Sequence, residues 1–339
     1  MKTKLASKFI KAYSNGTIKN EKKSPFSDLD VELASNVVSY YMSQAGFKFD
    51  YKIHDGQPFR LNAISELARM INDPDWQLPN SFKQGVHMAD EQQIKEVGLW
   101  PDKDEAHYDR FAPYVQWDES YKSAEENPDQ VEKMLEEEYQ NGFLAGPFTK
   151  AELLNELKCS EQDIAVGRMG LICEDPKADK WRLVFDATIS GVNWRIQIPE
   201  KTELPGIQDL VGIISSRVLG DELIGIKIDI KAAFKRIKLD PNEYKKNVVV
   251  INGKYYYYKV LPFGSKVSAY YWQRIAALIH RILKAMIANF PNAGMVYVDD
   301  SLWIFRKAEA PLLATILLIM LQILKVPLSW HKTIFGSIL

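Results

Sequence analysis

The chain has 339 residues, of which 46% are hydrophobic and 26% charged, as is typical of a globular protein and not of a disordered or collagen-like one. Its two cysteines, Cys159 and Cys173, form no CxxC spacing, so we expect neither a zinc site nor a disulfide framework. The net charge of −1 does not by itself indicate an anionic partner.

The charge is divided unevenly along the chain. Residues 1–150 hold 18 basic and 25 acidic side chains, a balance of −7, whereas the remaining residues hold 25 basic and 19 acidic ones, a balance of +6. Because a phosphate backbone attracts positive surfaces, the second part is the one expected to contact nucleic acid. The acidic first part leaves open an interaction with a partner protein.

No secretory signal or membrane span is expected. Residues 1–23 are rich in lysine and lack a continuous apolar core. The apolar run 312–324 is too short to cross a bilayer, so it is predicted to be a buried helix. We therefore expect an intracellular protein, cytoplasmic or nuclear, with no membrane partner.

Residues 1–140 are predicted to form a mostly helical, acidic extension, whose role the sequence does not indicate. Helical patterns cover residues 29–42 and 61–71, and an acidic run ends in a helix over 131–138 that is predicted to be exposed. A second domain is predicted over residues 141–339.

The second domain begins with Thr149 and Glu152 at capping-box spacing, which predicts the start of a helix. The dipeptide Asn252-Gly253 lies between two β-prone runs and predicts a tight hairpin. The other predicted elements, in chain order, are strands over 164–172 and 181–186, a helix over 204–216, a strand over 223–230 and a helix over 267–288.

Residues 295–305 form an apolar, β-prone run that is interrupted by Asp299 and Asp300. This pattern predicts two strands with both acids at the turn between them, and Asp229 ends a further strand. If those strands are neighbours, the three carboxylates converge and suit two Mg²⁺ ions, with Mn²⁺ as a possible substitute. The alternative is a solvated turn that happens to hold two acids.

The order of three motifs is more specific than any one of them. Asp-x-x-x-Ala-Phe (229–234), Leu-Pro-Phe-Gly-x-x-x-Ser (261–268) and Tyr-Val-Asp-Asp (297–300) resemble the palm motifs of reverse transcriptases. Residues 180–186 resemble the fingers hairpin of that family, and residues 327–336 resemble the segment after its catalytic aspartates. Within the family, the wording of this last segment is closest to DIRS-like tyrosine-recombinase retrotransposons.

The resemblance covers roughly residues 140–339 and implies an α+β right-hand polymerase of fingers and palm, with an antiparallel palm sheet flanked by helices. It implies that Asp229 and Asp299 bind the metal ions directly, that Asp300 supports them, and that Lys332 donates a proton to pyrophosphate. The plainer interpretation of Lys332 is a solvated surface lysine.

The resemblance also assigns the nucleotide contacts. Arg182 clamps the triphosphate, since a guanidinium suits bidentate phosphate binding. Phe234 lies against the sugar and excludes a 2′-hydroxyl, which favours dNTPs. Simpler alternatives are a surface ion pair of Arg182 with Glu174 or Asp186, and core roles for the aromatic rings. The other assigned residues are Ala232, Ala233, Phe263 and Gly264 at the nucleotide, Tyr297 at the primer terminus, and Gln273 and Arg274 at the template.

The implied activity is that of a retrotransposon RNA-directed DNA polymerase, which adds dNMP to a primer 3′-OH on an RNA or DNA template. One alternative is an RNA-dependent RNA polymerase, against which Tyr-Val-Asp-Asp and Phe234 both argue. The other is a catalytically silent relic that still binds nucleic acid. The family's thumb would follow residue 339, and the sequence does not indicate whether synthesis is processive without it.

Overall fold

The computed structural model describes residues 2–90, 93–103, 108–216, 220 and 222–337. Its α+β class is the predicted one, with two separate sheets and helices packed against them. The helices are α1 Lys2–Ser14, α2 Thr17–Glu21, α3 Asp28–Gln44, α4 Leu61–Met70, α5 Leu78–Ser81, α6 Lys122–Glu125, α7 Pro128–Gln140, α8 Lys150–Glu156, α9 Ile207–Ser215, α10 Lys266–Met286 and α11 Ala310–Ile323. The strands are β1 Leu144–Phe148, β2 Val166–Asp175, β3 Lys180–Asp186, β4 Leu223–Asp229, β5 Val248–Ile251, β6 Lys254–Tyr258, β7 Asn292–Tyr297, β8 Asp300–Arg306 and β9 Ile334–Ser337.

The chain divides into two compact units, each made from separate stretches of sequence. Unit 1 consists of Met1–Lys83, Glu203–Ala233 and Gln273–Leu339, and unit 2 consists of Gln84–Thr202 and Phe234–Trp272. Residues from the predicted N-terminal extension therefore occur in both units. The predicted domain boundary at residue 140 stays a prediction.

Unit 1 contains a four-stranded antiparallel sheet in the order β7-β8-β4-β9. Its β7–β8 hairpin comes from the apolar run that the two aspartates interrupt, as predicted. Trp303, Ile304 and Phe305 on β8 are fully buried, and α11 packs against β4 and β8. Burial of these apolar side chains is the main stabilising contribution to this sheet.

Helix α11 is buried along most of its length, which confirms the prediction for residues 312–324. It packs against α1 and α3 as well as the sheet, so apolar side chains are required around most of its circumference. Among the described residues, no helix is both long and apolar enough to span a membrane.

Unit 2 contains a five-stranded sheet in the order β1-β6-β5-β2-β3. Strands β5 and β6 form the predicted hairpin, in which Asn252 and Gly253 take positive φ angles of 51° and 71°. Both positive angles are what a tight hairpin turn with the right-handed strand twist requires. Strands β2 and β3 form the second predicted hairpin, with Ile172 opposite Arg182.

The prediction that helix α7 is exposed was wrong for one face of the helix. Val131, Leu135 and Glu138 are buried, and the helix packs against β1. These residues are spaced by four and three positions, so they share one helix face, while the acidic side chains between them point to solvent. The high charge of the segment concealed this narrow buried stripe.

Candidate active site

Two of the predicted acids face each other across neighbouring strands of unit 1. Asp229 is the last residue of β4 and is in register with Asp300, the first residue of β8. Asp299 lies in the turn before β8, and its carbonyl oxygen accepts a hydrogen bond from the Ile230 N–H at 2.9 Å. The sheet register therefore brings together the three carboxylates that the motifs single out.

The turn itself is strained. Val298 has a φ angle of +55°, a region that β-branched residues avoid because Cβ crowds the backbone. Such a conformation persists only where the surrounding structure imposes it, and these conformations occur often at functional sites. Here the surrounding structure is the β7–β8 ladder, in which Tyr297 before the turn pairs with Asp300 after it.

Two lysines neutralise part of this acidic cluster. Lys332 Nζ lies 2.8 Å from Asp229 Oδ2, and Lys227 Nζ lies 2.8 Å from Asp300 Oδ2. The hydrogen bond to Asp229 raises the pKa of Lys332, so its ammonium group stays charged at neutral pH. Each lysine thus occupies one oxygen of an acid and leaves the other oxygen free for a further cation.

The remaining carboxylate oxygens lack partners. Asp229 Oδ1 and Asp300 Oδ1 are buried and accept no hydrogen bond in the part of the chain that the structure describes. Burial raises the pKa of Asp299, and the charges of Asp229 and Asp300 raise it further. Buried oxygens without a donor are costly, and a cation would relieve that cost.

The donor set fits a hard divalent ion in its chemistry. Carboxylate oxygens are the ligands that Mg²⁺ prefers, and Asp229 and Asp300 offer one unpaired oxygen each. Among the described residues, no three carboxylate, imidazole or thiolate side chains are arranged as a complete metal-binding cluster. The ion pairs with Lys332 and Lys227 each occupy one carboxylate oxygen of Asp229 and Asp300, which is consistent with an incomplete cluster.

Tyr297 is placed at the edge of this cluster. It ends β7 and is 58% exposed, which is unusual for an aromatic side chain in a strand. A cleft of about 280 Å³ lies beside it, and its lining includes the start of α9, Lys227 and Asp300. Tyr297 and this cleft therefore lie next to Asp300, one of the three acids.

The predicted nucleotide contacts of unit 2 form a cluster of their own. The rings of Phe234 and Phe263 meet edge to face, with centroids 5.0 Å apart. Arg182 Cζ lies 5.3 Å from the Phe263 ring centroid, in cation–π contact. The structure therefore brings Arg182, Phe234 and Phe263 together.

Arg182 also has the partner that the simpler alternative named. Its Nη2 lies 2.6 Å from Glu174 Oε1, and Lys180 binds the other oxygen of Glu174 at 2.7 Å. The Arg182 side chain is 48% exposed, so this ion pair is a solvated one. Its triphosphate contact stays a prediction, and a phosphate would have to displace Glu174.

Gly264 is fixed by a close backbone approach. Its φ angle is +98°, and a Cβ added there would lie 1.8 Å from the carbonyl oxygen of Phe185. Asn193 Nδ2 donates to the Gly264 carbonyl oxygen at 2.8 Å, and the Lys266 N–H donates to Asn193 Oδ1 at 3.0 Å. The Pro-Phe-Gly loop is therefore held rigidly, and only glycine fits its last position.

Ala232 and Ala233 lie in the turn that follows β4. Ala232 has a φ angle of +56°, and Ala233 is buried. The preceding Lys231 N–H donates to the Pro327 carbonyl oxygen at 2.9 Å, which fixes the path of this turn. Their phosphate contacts through backbone N–H groups stay a prediction.

Helix α10 places the two predicted template residues differently. Arg274 is 7% exposed, and its Nε and Nη2 donate to both carboxylate oxygens of Asp75, at 3.0 and 2.6 Å. Gln273 is partly buried, and its Oε1 has no hydrogen-bond partner among the described residues. Arg274 is thus engaged inside unit 1, and a template contact for either residue stays a prediction.

Sequence reasoning missed Lys227 and Asn193. Lys227 could have been found, since it lies two residues before Asp229 on a strand and therefore shares its face. Asn193 gave no local signal, because its hydrogen bonds reach Gly264 and Lys266, about 70 residues away along the chain.

Comparison with known proteins supports the resemblance. Residues 175–336 match the family model described as reverse transcriptase (RNA-dependent DNA polymerase). The crystal structure of a prototype foamy virus protease-reverse transcriptase mutant is 18% identical, with a TM-score of 0.45, and the match covers 72% of this chain and 29% of that one. A foamy viral protease-reverse transcriptase in complex with double-stranded DNA is 16% identical, with a TM-score of 0.46 and coverages of 78% and 43%. The chain thus spans less than half the length of either protein, and a comparison with curated sequences gives no match.

Proposed function

We propose that this chain is an RNA-directed DNA polymerase, a premise that rests on the confirmed resemblance of residues 175–336 to reverse transcriptases. The observation that carries the proposal is the register of Asp229 opposite Asp300, with Asp299 in the adjoining turn. The proposed reaction joins a primer 3′-oxygen to the α-phosphorus of a dNTP and releases pyrophosphate. The proposed origin is a retrotransposon, and the sequence of residues 327–336 most resembles that of DIRS-like elements.

Asp229 and Asp299 would hold the divalent ions directly, and Asp300 would support them. Reverse transcriptase domains generally use divalent metal ions; two Mg²⁺ ions, replaceable by Mn²⁺, are the proposed set. When bound, they would lower the pKa of the primer hydroxyl and neutralise the triphosphate. The unpartnered Oδ1 of Asp229 supports its role as a ligand, and that of Asp300 supports its place beside the ions.

The lysines would manage charge during the reaction. As the bond between the α-phosphorus and pyrophosphate breaks, Lys332 would transfer a proton from Nζ to the leaving pyrophosphate oxygen. The hydrogen bond to Asp229 raises the pKa of Lys332, which favours the protonated form that this role requires. Lys227, paired with Asp300, would keep the carboxylate cluster from repelling the incoming phosphates.

The nucleotide would be recognised by the residues that the resemblance assigns. Arg182 would bind the triphosphate, and the backbone N–H groups of Ala232 and Ala233 would bind phosphate oxygens. Phe234 would lie against the sugar and reject a 2′-hydroxyl. The edge-to-face packing of Phe234 on Phe263 supports a fixed wall at the sugar, with Gly264 as its rigid neighbour.

Primer and template would be bound by the basic second part of the chain. Its charge balance of +6 suits a phosphate backbone, and such binding weakens steeply as salt rises. Tyr297, 58% exposed beside the carboxylates, would meet the primer terminus. Gln273 and Arg274 are the proposed template contacts, and Arg274 would have to leave Asp75 to make one.

Primer extension tests the proposal. The parent chain and an Asp299→Ala variant are given a primer on an RNA or a DNA template, with Mg²⁺ and either dNTPs or rNTPs. We expect the parent to extend with dNTPs on RNA and the variant not to extend. Extension with rNTPs instead would indicate an RNA polymerase. Retained primer–template binding without any extension would indicate a catalytically silent relic.

A further inference from the structure

The turn that presents Phe234 is anchored by the segment before β1. Phe234, Lys235 and Arg236 form a single 3₁₀ turn in unit 2. Lys235 forms an ion pair with Glu138 near the end of α7, and Arg236 Cζ lies 5.3 Å from the ring centroid of Phe143. Both residues that follow Phe234 are therefore held by a segment outside the palm and fingers motifs.

The Glu138–Lys235 pair is buried, unlike most of the ion pairs between residues that the structure describes. The side chains of Glu138 and Lys235 are 10% and 12% exposed. Burial raises the pKa of the Tyr258 phenol well above its usual value, and the nearby Glu138 carboxylate raises it further. Removing two charges from water is costly, and a pair of this kind is weak evidence for stability alone. Such a pair more directly fixes the orientation of its two side chains.

The ammonium group of Lys235 is aimed at the aromatic wall. Its Nζ lies 5.6 Å from the ring centroid of Phe263 and 5.9 Å from that of Tyr258. Phe263 in turn meets the edge of Phe234 and carries Arg182 within cation–π distance. Contacts thus run without a break from Glu138 through Lys235 and Phe263 to the ring of Phe234.

We propose that Glu138 is a positioning residue for nucleotide selection, acting through Lys235 on the Phe263 and Phe234 rings. The inference rests on the proposed function and deepens it. Without the carboxylate, Lys235 has no buried counter-charge and turns toward solvent, so the Phe263 ring loses the cation that holds it. The Phe234 ring then yields to a 2′-hydroxyl, and discrimination against rNTPs falls. The N-terminal segment thereby acquires a role in substrate choice.

The test compares Glu138→Gln with Glu137→Gln, an exposed neighbour on the same helix. The ratio of kcat/KM for dTTP to that for UTP is measured on one primer–template. We expect Glu138→Gln to lower this ratio about tenfold, because small displacements at a reacting nucleotide have large effects on rate. Glu137→Gln is expected to keep the parental ratio.

Two further variants separate positioning from folding. Phe234→Ala removes the proposed wall, so adding Glu138→Gln to it should lower the ratio no further, as coupled residues behave. The exchange Glu138→Lys with Lys235→Glu keeps a buried pair and is expected to recover at least part of the lost stability, while the cation no longer faces Phe263 and the low ratio remains. A parental ratio in Glu138→Gln, or an additive loss in the double variant, would overturn the inference.

The outcome is distinguishable from a failure of the proposed function. If the parent extends no primer, the proposed polymerase activity is overturned. The equilibrium dissociation constants for dTTP and UTP are then measured, with Ca²⁺ in place of Mg²⁺, and their ratio is compared between the parent and Glu138→Gln. A preference for dTTP in the parent that weakens in Glu138→Gln supports the inference, and an equal preference in both contradicts it.

Discussion

At the scale of single residues, the pairing of Lys332 with Asp229 gives the clearest expectation. Replacing Lys332 by alanine removes the proposed proton donor, so we predict that the single-turnover rate of dNMP addition falls by about 10²–10⁴-fold. His331 is exposed on the same turn and provides the matched control, His331→Ala. Equal rates for the two variants in a rapid-quench experiment would contradict a role for Lys332 in chemistry.

Gly264 gives a prediction about stability. In Gly264→Ala, the new Cβ would lie 1.8 Å from the Phe185 carbonyl oxygen at a φ angle of +98°, so the loop must shift. Backbone strain and overpacking together are expected to lower the free energy of unfolding by about 3 kcal/mol. Gly212→Ala, in α9 with open space around it, should be neutral or stabilising. Urea unfolding of both variants measures the difference.

The residues that sequence could identify are those with local signatures. Asp229, Asp299 and Asp300 each interrupt or end an apolar strand, so their convergence followed from strand pairing alone. Glu138 could not be identified, because its partner Lys235 lies 97 positions away and α7 reads as an acidic surface helix. Asp75 is hidden for the same reason, 199 positions from Arg274.

At the scale of elements, helix α10 supports the β7–β8 hairpin through His280. Its ring stacks on Trp303 of β8, with centroids 4.3 Å apart. Burial, with a smaller contribution from the charge of Lys284, lowers the pKa of His280 to about 4 from an ordinary value of 6.5. The imidazole is therefore neutral when it lies against the hairpin.

This depressed pKa makes stability depend on pH. Between about pH 4 and 6.5 the unfolded chain binds a proton at His280 that the folded chain does not, so stability is complete above 6.5 and is lost as the pH falls toward 4. The loss is expected to reach about 3 kcal/mol. In His280→Phe the ring stack is kept, and the pH slope of urea unfolding should flatten. An unchanged slope would show that other groups cause it.

Elements were predicted well where their patterns were strong. The Asn252-Gly253 hairpin and the Thr149 capping box formed as the local chemistry requires. Helix α7 was predicted, but as an exposed helix, because three buried positions among many acidic residues give only a weak helical periodicity of hydrophobic residues. The pairing of β2 with the parallel strand β5 could not be foreseen, as it joins residues about 80 positions apart.

At the scale of the whole molecule, residues 1–83 belong to unit 1 and residues 84–140 to unit 2. Helices α1 and α3 cover the apolar surface of α11, and α7 packs against β1. We therefore predict that a chain of residues 141–339 does not fold cooperatively, because both cores lose apolar cover. Near-ultraviolet circular dichroism and urea unfolding, with the full chain as control, measure this. A cooperative transition in the shorter chain would instead support an independent domain beginning at residue 141.

The central claim is that the acids at the β4 and β8 ends perform nucleotide addition. The most direct test is single-nucleotide addition to a pre-bound primer–template by Asp229→Asn, with Asp28→Asn, an exposed acid in the first turn of α3, as control. The account predicts a loss of about 10³-fold or more in rate for Asp229→Asn alone, with primer–template affinity kept in both variants. A rate for Asp229→Asn within a few-fold of the parent would contradict it.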